Sequence, residues 1–437
     1  MNDKLKRNLG FWDVFAIALG QIIGSGIMVL IGIGIEFTSY AIPLAFIISA
    51  VFTIIKSIPI AFLGSAMPAT GGLYVYCKRI LGPQIGFFYL ALVLITHILI
   101  SLFALGFSQY ATALLPQLDP TVVAVSVMVF FYVVNLIGAK EAAAIQKIMI
   151  IILLCGLSSL IAYGVLDVDY NKFTEVEYLF PNGWYGFGLA CAVLSFATGG
   201  AQYISELGGE MKNPQRDLPK AIIYSTLTAA IFFALVSVVA VGILPIEQTA
   251  GKPLADVAKA ILPPAAYVSF IVGAGLFALA TSINSTFSWA TKSALIACED
   301  GWLPKKLAVI NHRFQTPHIM LTCLLIIGLT PILMGLNLRY IIMLGGGLVM
   351  IYDMIPLVAA YHFAKKMPNE FKLATMNLSE AALKTVSVLG LIILCTQSAL
   401  SFSDINIYGW LTVFAYITFV ISYIFFRNGF SKKTNRV

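Results

Sequence analysis

A run of about twenty apolar residues is long enough to cross the hydrocarbon core of a bilayer as a helix, and this 437-residue chain is built almost wholly from such runs. Twelve spans are expected, over 12–35, 41–66, 84–113, 121–138, 141–166, 183–206, 218–244, 264–296, 317–335, 338–361, 382–402 and 406–427. Connections are mostly short, so no appended soluble domain is expected, and the largest pieces outside are 167–182 and 245–263. Only 11% of residues are charged, against about a quarter in soluble domains, too few to cover a water-facing surface. An ordinary soluble enzyme and a disordered chain are thereby excluded. The expected class is an all-α polytopic membrane protein.

Lysine and arginine set the orientation. With the N-terminus in the cytoplasm, 22 of the 27 basic residues fall on internal segments, only Lys172, Lys252, Lys259 and Arg339 lie outside, and Lys56 sits within the second span. A bias this steep places both termini in the cytoplasm of a protein in the cell membrane and requires an even number of spans. The external loop is acid-rich by contrast, with Asp167, Asp169, Glu175 and Glu177. Topology thus accounts for the net charge of +7, and no nucleic-acid partner is implied. The six cysteines and four histidines show no paired or metal-ligand spacing, so neither disulfides, a cofactor nor a resident metal is expected. A phosphate-binding loop of the Gly-x-x-x-x-Gly-Lys-Ser/Thr kind is missing, which argues against nucleotide-driven pumping. Nothing supports catalysis.

Two spans are interrupted by glycine in mid-membrane. The first carries Ile23-Gly24-Ser25-Gly26-Ile27 and the sixth Ser195-Phe196-Ala197-Thr198-Gly199-Gly200, with Gly26 and Gly200 lying 174 positions apart. Each opens a five-helix half of the first ten helices, the pattern of an inverted-repeat transporter with discontinuous helices 1 and 6. Breaking a helix in hydrocarbon strands backbone groups at several kcal/mol each unless a ligand or cavity water satisfies them. Free N–H groups around Ser25–Ile27 would face an anion at the positive end of a helix dipole. Carbonyls near Gln21–Ile23 and Phe196–Thr198 would accept from an ammonium group. A ligand with a carboxylate beside an ammonium satisfies both ends, which describes an α-amino acid. The competing reading, close-packing glycines alone, is weakened by the matched pair.

At these residues the chain resembles the amino acid–polyamine–organocation superfamily of amino acid permeases, and among them the bacterial relatives of L-type amino acid transporters. The resemblance rests on Gly24-Ser25-Gly26, on Pro68-Ala-Thr-Gly-Gly-Leu-Tyr-Val-Tyr76, on Glu210-Met-Lys-Asn-Pro-Gln-Arg-Asp-Leu-Pro219 and on Glu299-Asp-Gly-Trp-Leu-Pro304. It implies a single transporter domain with repeats over 12–182 and 183–361 and two additional helices over 382–427. Substrate would sit at the midplane between helices 1, 3, 6, 8 and 10. Carried over by residue, Ser25, Gly26 and Ile27 would hold the carboxylate through backbone amides, and Phe196 would form an aromatic lid. Gln202 would lie in the side-chain pocket, where a carboxamide cannot neutralise a cation, which favours neutral substrates. Thr96, His97 and Asn284 are candidate pocket walls, with a satisfied core histidine the competing reading for His97.

Many relatives carry a lysine in mid-helix 5 that substitutes for sodium. Here the matching place is Leu153, and Lys147 lies nearer the cytoplasmic end. Thr281 and Ser282, with carbonyls near Gly20 and Ile23, form a candidate Na⁺ site, against the plainer reading that both hydroxyls back-bond to their own helix. Three charges within spans stand out as gating or structural groups. Glu206 ends helix 6, close in sequence to Lys212 and Arg216, while Lys56 and Asp353 would each cost about 2.5–3.5 kcal/mol if unpaired at the bilayer centre. The expected function is a secondary carrier of neutral L-amino acids. Two alternatives stay open: a proton-coupled or obligate-exchange carrier of cationic amino acids or polyamines, and a transporter-like membrane sensor.

Overall fold

In the computed structural model, which describes residues 7–28, 30–174, 179–336, 338–402 and 407–434, the first expected span is not one rod. Helix α1 (Phe11–Ile22) stops at Ile23, a single turn α2 (Ser25–Met28) resumes, and α3 (Leu30–Thr38) completes the crossing. The stop is a backbone turn: Ile23 takes φ −80° and ψ 70°, and the Gly24 N–H bends back to donate to the Ile22 carbonyl at 2.9 Å. Neighbouring helices press against this turn. A Cβ on Gly24 would collide with the Ser282 hydroxyl, and one on Gly20 with the Gln146 amide.

Seven helices follow in the same half and its continuation: α4 (Ile42–Ala66), α5 (Gly72–Leu81), α6 (Pro83–Thr96), α7 (Ile100–Leu114), α8 (Pro120–Ile137), α9 (Ala139–Gly164) and α10 (Gly183–Ala197). Between α6 and α7 the third span tightens into a 3₁₀ turn, His97–Leu99. Helix α10 is the second interrupted element. It unwinds over Thr198–Gly200 and goes on as a 3₁₀ segment, Ala201–Glu206. The unwinding needs Gly200, whose φ of +116° is a conformation that residues with a Cβ rarely adopt.

The rest comprises α11 (Pro214–Ile243), α12 (Leu254–Ile261), α13 (Pro264–Phe270), α14 (Phe277–Trp289), α15 (Lys292–Glu299), α16 (His318–Leu333), α17 (Leu338–Lys366), α18 (Pro368–Lys372), α19 (Glu380–Phe402) and α20 (Ile407–Thr434). Among the described residues, eleven helical runs are long and apolar enough to cross a membrane. The expected ninth span is the 16-residue α16, which at 1.5 Å per residue reaches about 24 Å, short of the ~30 Å core. The expectation of twelve full spans is therefore met by eleven and one short helix. Lys4, Lys6, Glu175, Glu177, Arg436 and the start of the last expected span at 406 lie outside the described residues.

Helix α1 is enclosed by α9, α11 and α14, and Val14, Ala16 to Gly20 and Ile22 are buried. An apolar helix buried on all sides can expose its broken end to a cavity without exposing it to lipid. By contrast α20 is peripheral, with only 17% of its apolar window buried. At the end of the bundle that carries the N-terminus, the motif segments come together. Leu9 N–H donates to the Glu210 carbonyl at 3.0 Å and Lys212 N–H to the Leu9 carbonyl at 2.9 Å. The Tyr74 hydroxyl and the Lys78 ammonium both reach Asp300, each at 2.7 Å, and Trp302 stacks on Phe87 with ring centroids 4.6 Å apart. Asp13, in the first turn of α1, accepts from Gly10 N–H at 2.8 Å and also pairs with Lys147 at 2.7 Å.

Candidate substrate cavity

The two interruptions face each other. A Cβ on Gly26 would sit 2.8 Å from the Ala197 carbonyl oxygen, so the turn after the first break lies directly on the end of α10. Beside this contact is a cavity of about 80 Å³, lined by Gln21, Ile22 and Gly26 from the first span and by Ser195, Phe196, Ala197, Gly199, Gly200, Gln202 and Tyr203 from the sixth. A water needs at least ~10–15 Å³ on this measure, so the space holds several waters or one small organic molecule.

The polar side chains set among its apolar walls mostly have partners already. Tyr203 stacks on Trp289 with centroids 4.6 Å apart and shares a 2.7 Å hydroxyl contact with Tyr352. Trp289 Nε1 donates to Gln21 Oε1 at 3.0 Å, and the Thr286 hydroxyl donates to the same oxygen at 3.3 Å. Gln202 is used at both ends: its Oε1 accepts from Gly200 N–H at 3.1 Å, and its Nε2 donates to Asp353 Oδ2 at 3.1 Å. Lys56 also lines the cavity and donates to Gln397 Oε1 at 3.3 Å.

Three lining side chains carry buried polar atoms without a hydrogen-bond partner among the described residues: Ser195 Oγ, His97 Nε2 and Asp353 Oδ1. Leaving such an atom unpaired costs about 1–3 kcal/mol, more for a charge. The three residues belong to three different spans and line one cavity.

Of the residues singled out in the sequence, Gly26, Thr96, His97, Phe196, Ala197, Gly199, Gln202, Lys56 and Asp353 line this cavity. Ile23, Gly24 and Ile27 are buried behind it in the turn, and the backbone of Ser25 begins α2. Thr198 points away, its hydroxyl 2.9 Å from that of Thr53. Asn284 is not a cavity wall. Its amide nitrogen donates to the Ala142 carbonyl at 3.0 Å and to Gln146 Oε1 at 2.7 Å, and its oxygen accepts from Asn135 at 2.8 Å. Glu206 does not line the cavity either, and its partners are not Lys212 or Arg216. It accepts from Leu73 N–H at 3.2 Å and from the Ser293 hydroxyl at 2.5 Å. Sequence reasoning missed the side chain of Gln21, whose carbonyl alone it had named, and Tyr203, Thr286, Trp289 and Tyr352, polar or aromatic residues whose helix face is set only by packing.

The candidate Na⁺ position is also rearranged. The Ser282 hydroxyl donates to the Gly20 carbonyl at 2.9 Å, and the Thr281 hydroxyl back-bonds to Ala278 at 2.7 Å. Between α1 and α14 lies the Gln146 amide. Its Nε2 is within hydrogen-bonding distance of the Ala16 carbonyl (3.3 Å), the Thr281 carbonyl (3.2 Å) and the Ser285 hydroxyl (3.0 Å). From helix 5, the Gln146 amide is the group that packs against Gly20 of α1. A Na⁺ needs several oxygens free to converge on it, and here the Ser282 hydroxyl already donates to the Gly20 carbonyl and the Thr281 hydroxyl to that of Ala278. Gln146→Leu would strand the Asn284 amide and the Ala16 and Thr281 carbonyls, with an expected loss of about 1–3 kcal/mol, read as a lower unfolding midpoint in detergent.

Comparison with known proteins agrees with this geometry. The profile of the amino acid permease family matches residues 9–426. The branched-chain amino acid permease BcaP of Bacillus subtilis is 27% identical over 340 residues, covering 72% of each chain. The serine/threonine exchanger SteT of the same organism is 25% identical over 328 residues, covering 73% of this chain and 74% of its own. The vacuolar cationic amino acid transporter 4 of Arabidopsis thaliana is 28% identical over 348 residues, which are 72% of this chain and 56% of that one. A helical membrane bundle whose two interrupted spans meet at a cavity, matched over nearly its whole length, belongs to the amino acid permease family.

Proposed function

We propose that the protein is a secondary carrier of neutral L-amino acids working by alternating access, with the substrate held where the two interrupted spans meet. The observation that carries this reading is the cavity itself, lined by residues of both breaks and by the polar residues Ser195, His97, Gln202 and Asp353. In this reading the carboxylate meets the N–H groups that begin α2, and the ammonium meets carbonyls that end α1 and α10. The chain is taken as two five-helix repeats, 12–182 and 183–361, with 382–427 added and both termini in the cytoplasm of a cell-membrane protein. Bending at Ile23–Gly24 and at Thr198–Gly200 would open one side and then the other.

The relatives named above cover branched-chain, hydroxylated and cationic amino acids, so kinship alone does not select a substrate. Cavity charge does. Asp353 reaches the cavity, which favours a cationic substrate, but Lys56 lines the same space and offsets it, leaving no net charge for a second ammonium to neutralise. The hydrogen bonds that the Ser282 and Thr281 hydroxyls already make support a cycle that needs no Na⁺ at the junction of α1 and α14. Proteoliposomes should accumulate labelled neutral amino acids saturably, with lysine and putrescine competing poorly and with rates unchanged when choline replaces Na⁺. Preference for the cationic compounds would overturn the substrate assignment, and no accumulation of any amino acid would overturn transport itself.

A further inference from the structure

The cavity offers the side chain of a ligand mainly hydrocarbon. Its polar residues are largely engaged with partners already: Gln202 links Asp353 to Gly200, Tyr203 meets Tyr352, Trp289 and Thr286 both reach Gln21, and Lys56 is held by Gln397. Ser195 Oγ, His97 Nε2 and Asp353 Oδ1 are shut off from open space, so none of them is presented to a ligand. Two apolar faces are left. Leu99, Ile100 and Phe103 come from the third span, with Phe103 one helical turn beyond the other two, and Val349 and Met350 come from α17.

Apolar surface beside a cavity gains by being covered with apolar atoms, whereas a hydroxyl placed there without a partner is penalised. Size is constrained as well. The space is about 80 Å³ and must also take the α-carboxylate and α-ammonium beside the breaks, which leaves room for a few carbons. Its width depends on Gly345 of α17. A Cβ there would fall 2.5 Å from Leu99 Cδ2, so the absent side chain is what lets Leu99 lie back against α17. Phe103 is the bulkiest of the five apolar groups and is 8% exposed. Resting on the amino acid transport reading above, we propose that the substrate carries a branched aliphatic side chain, received between the Leu99–Phe103 face and the Val349–Met350 face, and that Phe103 sets the upper limit on its size.

Valine and threonine make the test sharp, since they differ only in a methyl for a hydroxyl. In proteoliposomes, uptake of the labelled amino acid that accumulates best is competed by unlabelled valine, leucine, threonine and phenylalanine. In the wild type, valine should compete at least about fivefold better than threonine, the low end for burying a hydroxyl without a partner, with phenylalanine weak. In Phe103→Ala, phenylalanine should improve at least about tenfold relative to valine, because a single methylene in an apolar pocket is worth roughly 10–200-fold. Gly345→Ala should act the other way, pressing on Leu99 and lowering leucine against valine. Should Phe103→Ala fail to fold, Phe103→Leu keeps an apolar side chain and carries the same ratio test. A purely structural role for Phe103 would lower competition by every amino acid alike and leave the ratios unchanged. Threonine equal to valine in the wild type, or a wild-type phenylalanine-to-valine ratio in the folded Phe103 variant, overturns this assignment and leaves transport standing. If no labelled amino acid accumulates at all, the transport reading itself falls and this assignment falls with it.

Discussion

Gly26→Val should insert into the membrane and fail to transport. The side chain has nowhere to go. A Cβ at this position falls 2.8 Å from the Ala197 carbonyl oxygen and 2.9 Å from the Ala197 Cα, closer than real Cβ atoms approach. Both are backbone atoms, so no rotamer change relieves the contact, and the two interrupted spans must separate. Moving the groups of a binding site by about 1 Å can cost on the order of a hundredfold in rate, and a loss of that order is expected in initial uptake. Gly26→Ala should fall between the two. Gly188→Ala is the control, because it lies on α10, the helix of Ala197, and its Cβ would meet nothing within 4 Å. Uptake scored against the amount of monodisperse protein separates loss of function from loss of folding. Wild-type uptake by Gly26→Val would show that the approach of the two breaks is dispensable.

How much of this was legible in the sequence differs by physical scale. The spans follow from the length of apolar runs, and the breaks from glycines placed where a continuous helix would be expected, because both depend on local chemistry alone. Which face of a helix looks into the cavity depends on how helices rotate against one another, and the sequence around Asn284 shows the difficulty. Residues 281, 284, 285 and 288 form one stripe of α14, while 282, 286 and 289 form another, roughly 100° per residue setting them apart. Both stripes are polar. Packing turns Asn284 toward Gln146 and Asn135, and turns Thr286 and Trp289 toward Gln21 and the cavity. A residue-by-residue scan sees two equivalent candidates. His97 was named as a candidate wall, and its competing reading as a satisfied core histidine had a related cause. A polar residue in an apolar run suggests an internal partner, yet the 3₁₀ turn at His97–Leu99 swings the ring beside Trp289, with centroids 5.9 Å apart, and leaves Nε2 unpartnered. Lys56 and Asp353 stood out at once, since charge in an apolar run needs no geometry to be noticed, but that they share one cavity is a tertiary fact.

Lys292→Met should cost the protein most of its stability. Lys292 and Glu210 are only 6% and 5% exposed at their side chains and lie 2.6 Å apart, a contact of charge on charge, because Glu210 Oε1 has no aligned hydrogen bond. Removing one partner leaves the other charge buried and uncompensated, which typically costs about 3–5 kcal/mol. The expected result is a sharp fall in the yield of folded protein and in its unfolding midpoint in detergent. Glu210→Gln should do the same from the other side. Replacing both, as Lys292→Met/Glu210→Leu, removes the desolvation penalty along with the attraction, and such exchanges are often neutral or stabilising, so the double variant should recover most of the loss. Additivity of the two single losses would mean that each charge is satisfied by something other than its partner. The rescue also separates folding from function. Glu210 carries the backbone contact to Leu9, Lys292 begins α15, and the neighbouring Glu206–Ser293 bond joins the same two segments. The pair therefore fastens the end of the bundle where the motif segments converge. In an alternating carrier that end must part once in each cycle. A refolded double variant that binds substrate normally but exchanges it faster would identify the ion pair as a brake on opening, and one that exchanges at the wild-type rate would confine its role to folding.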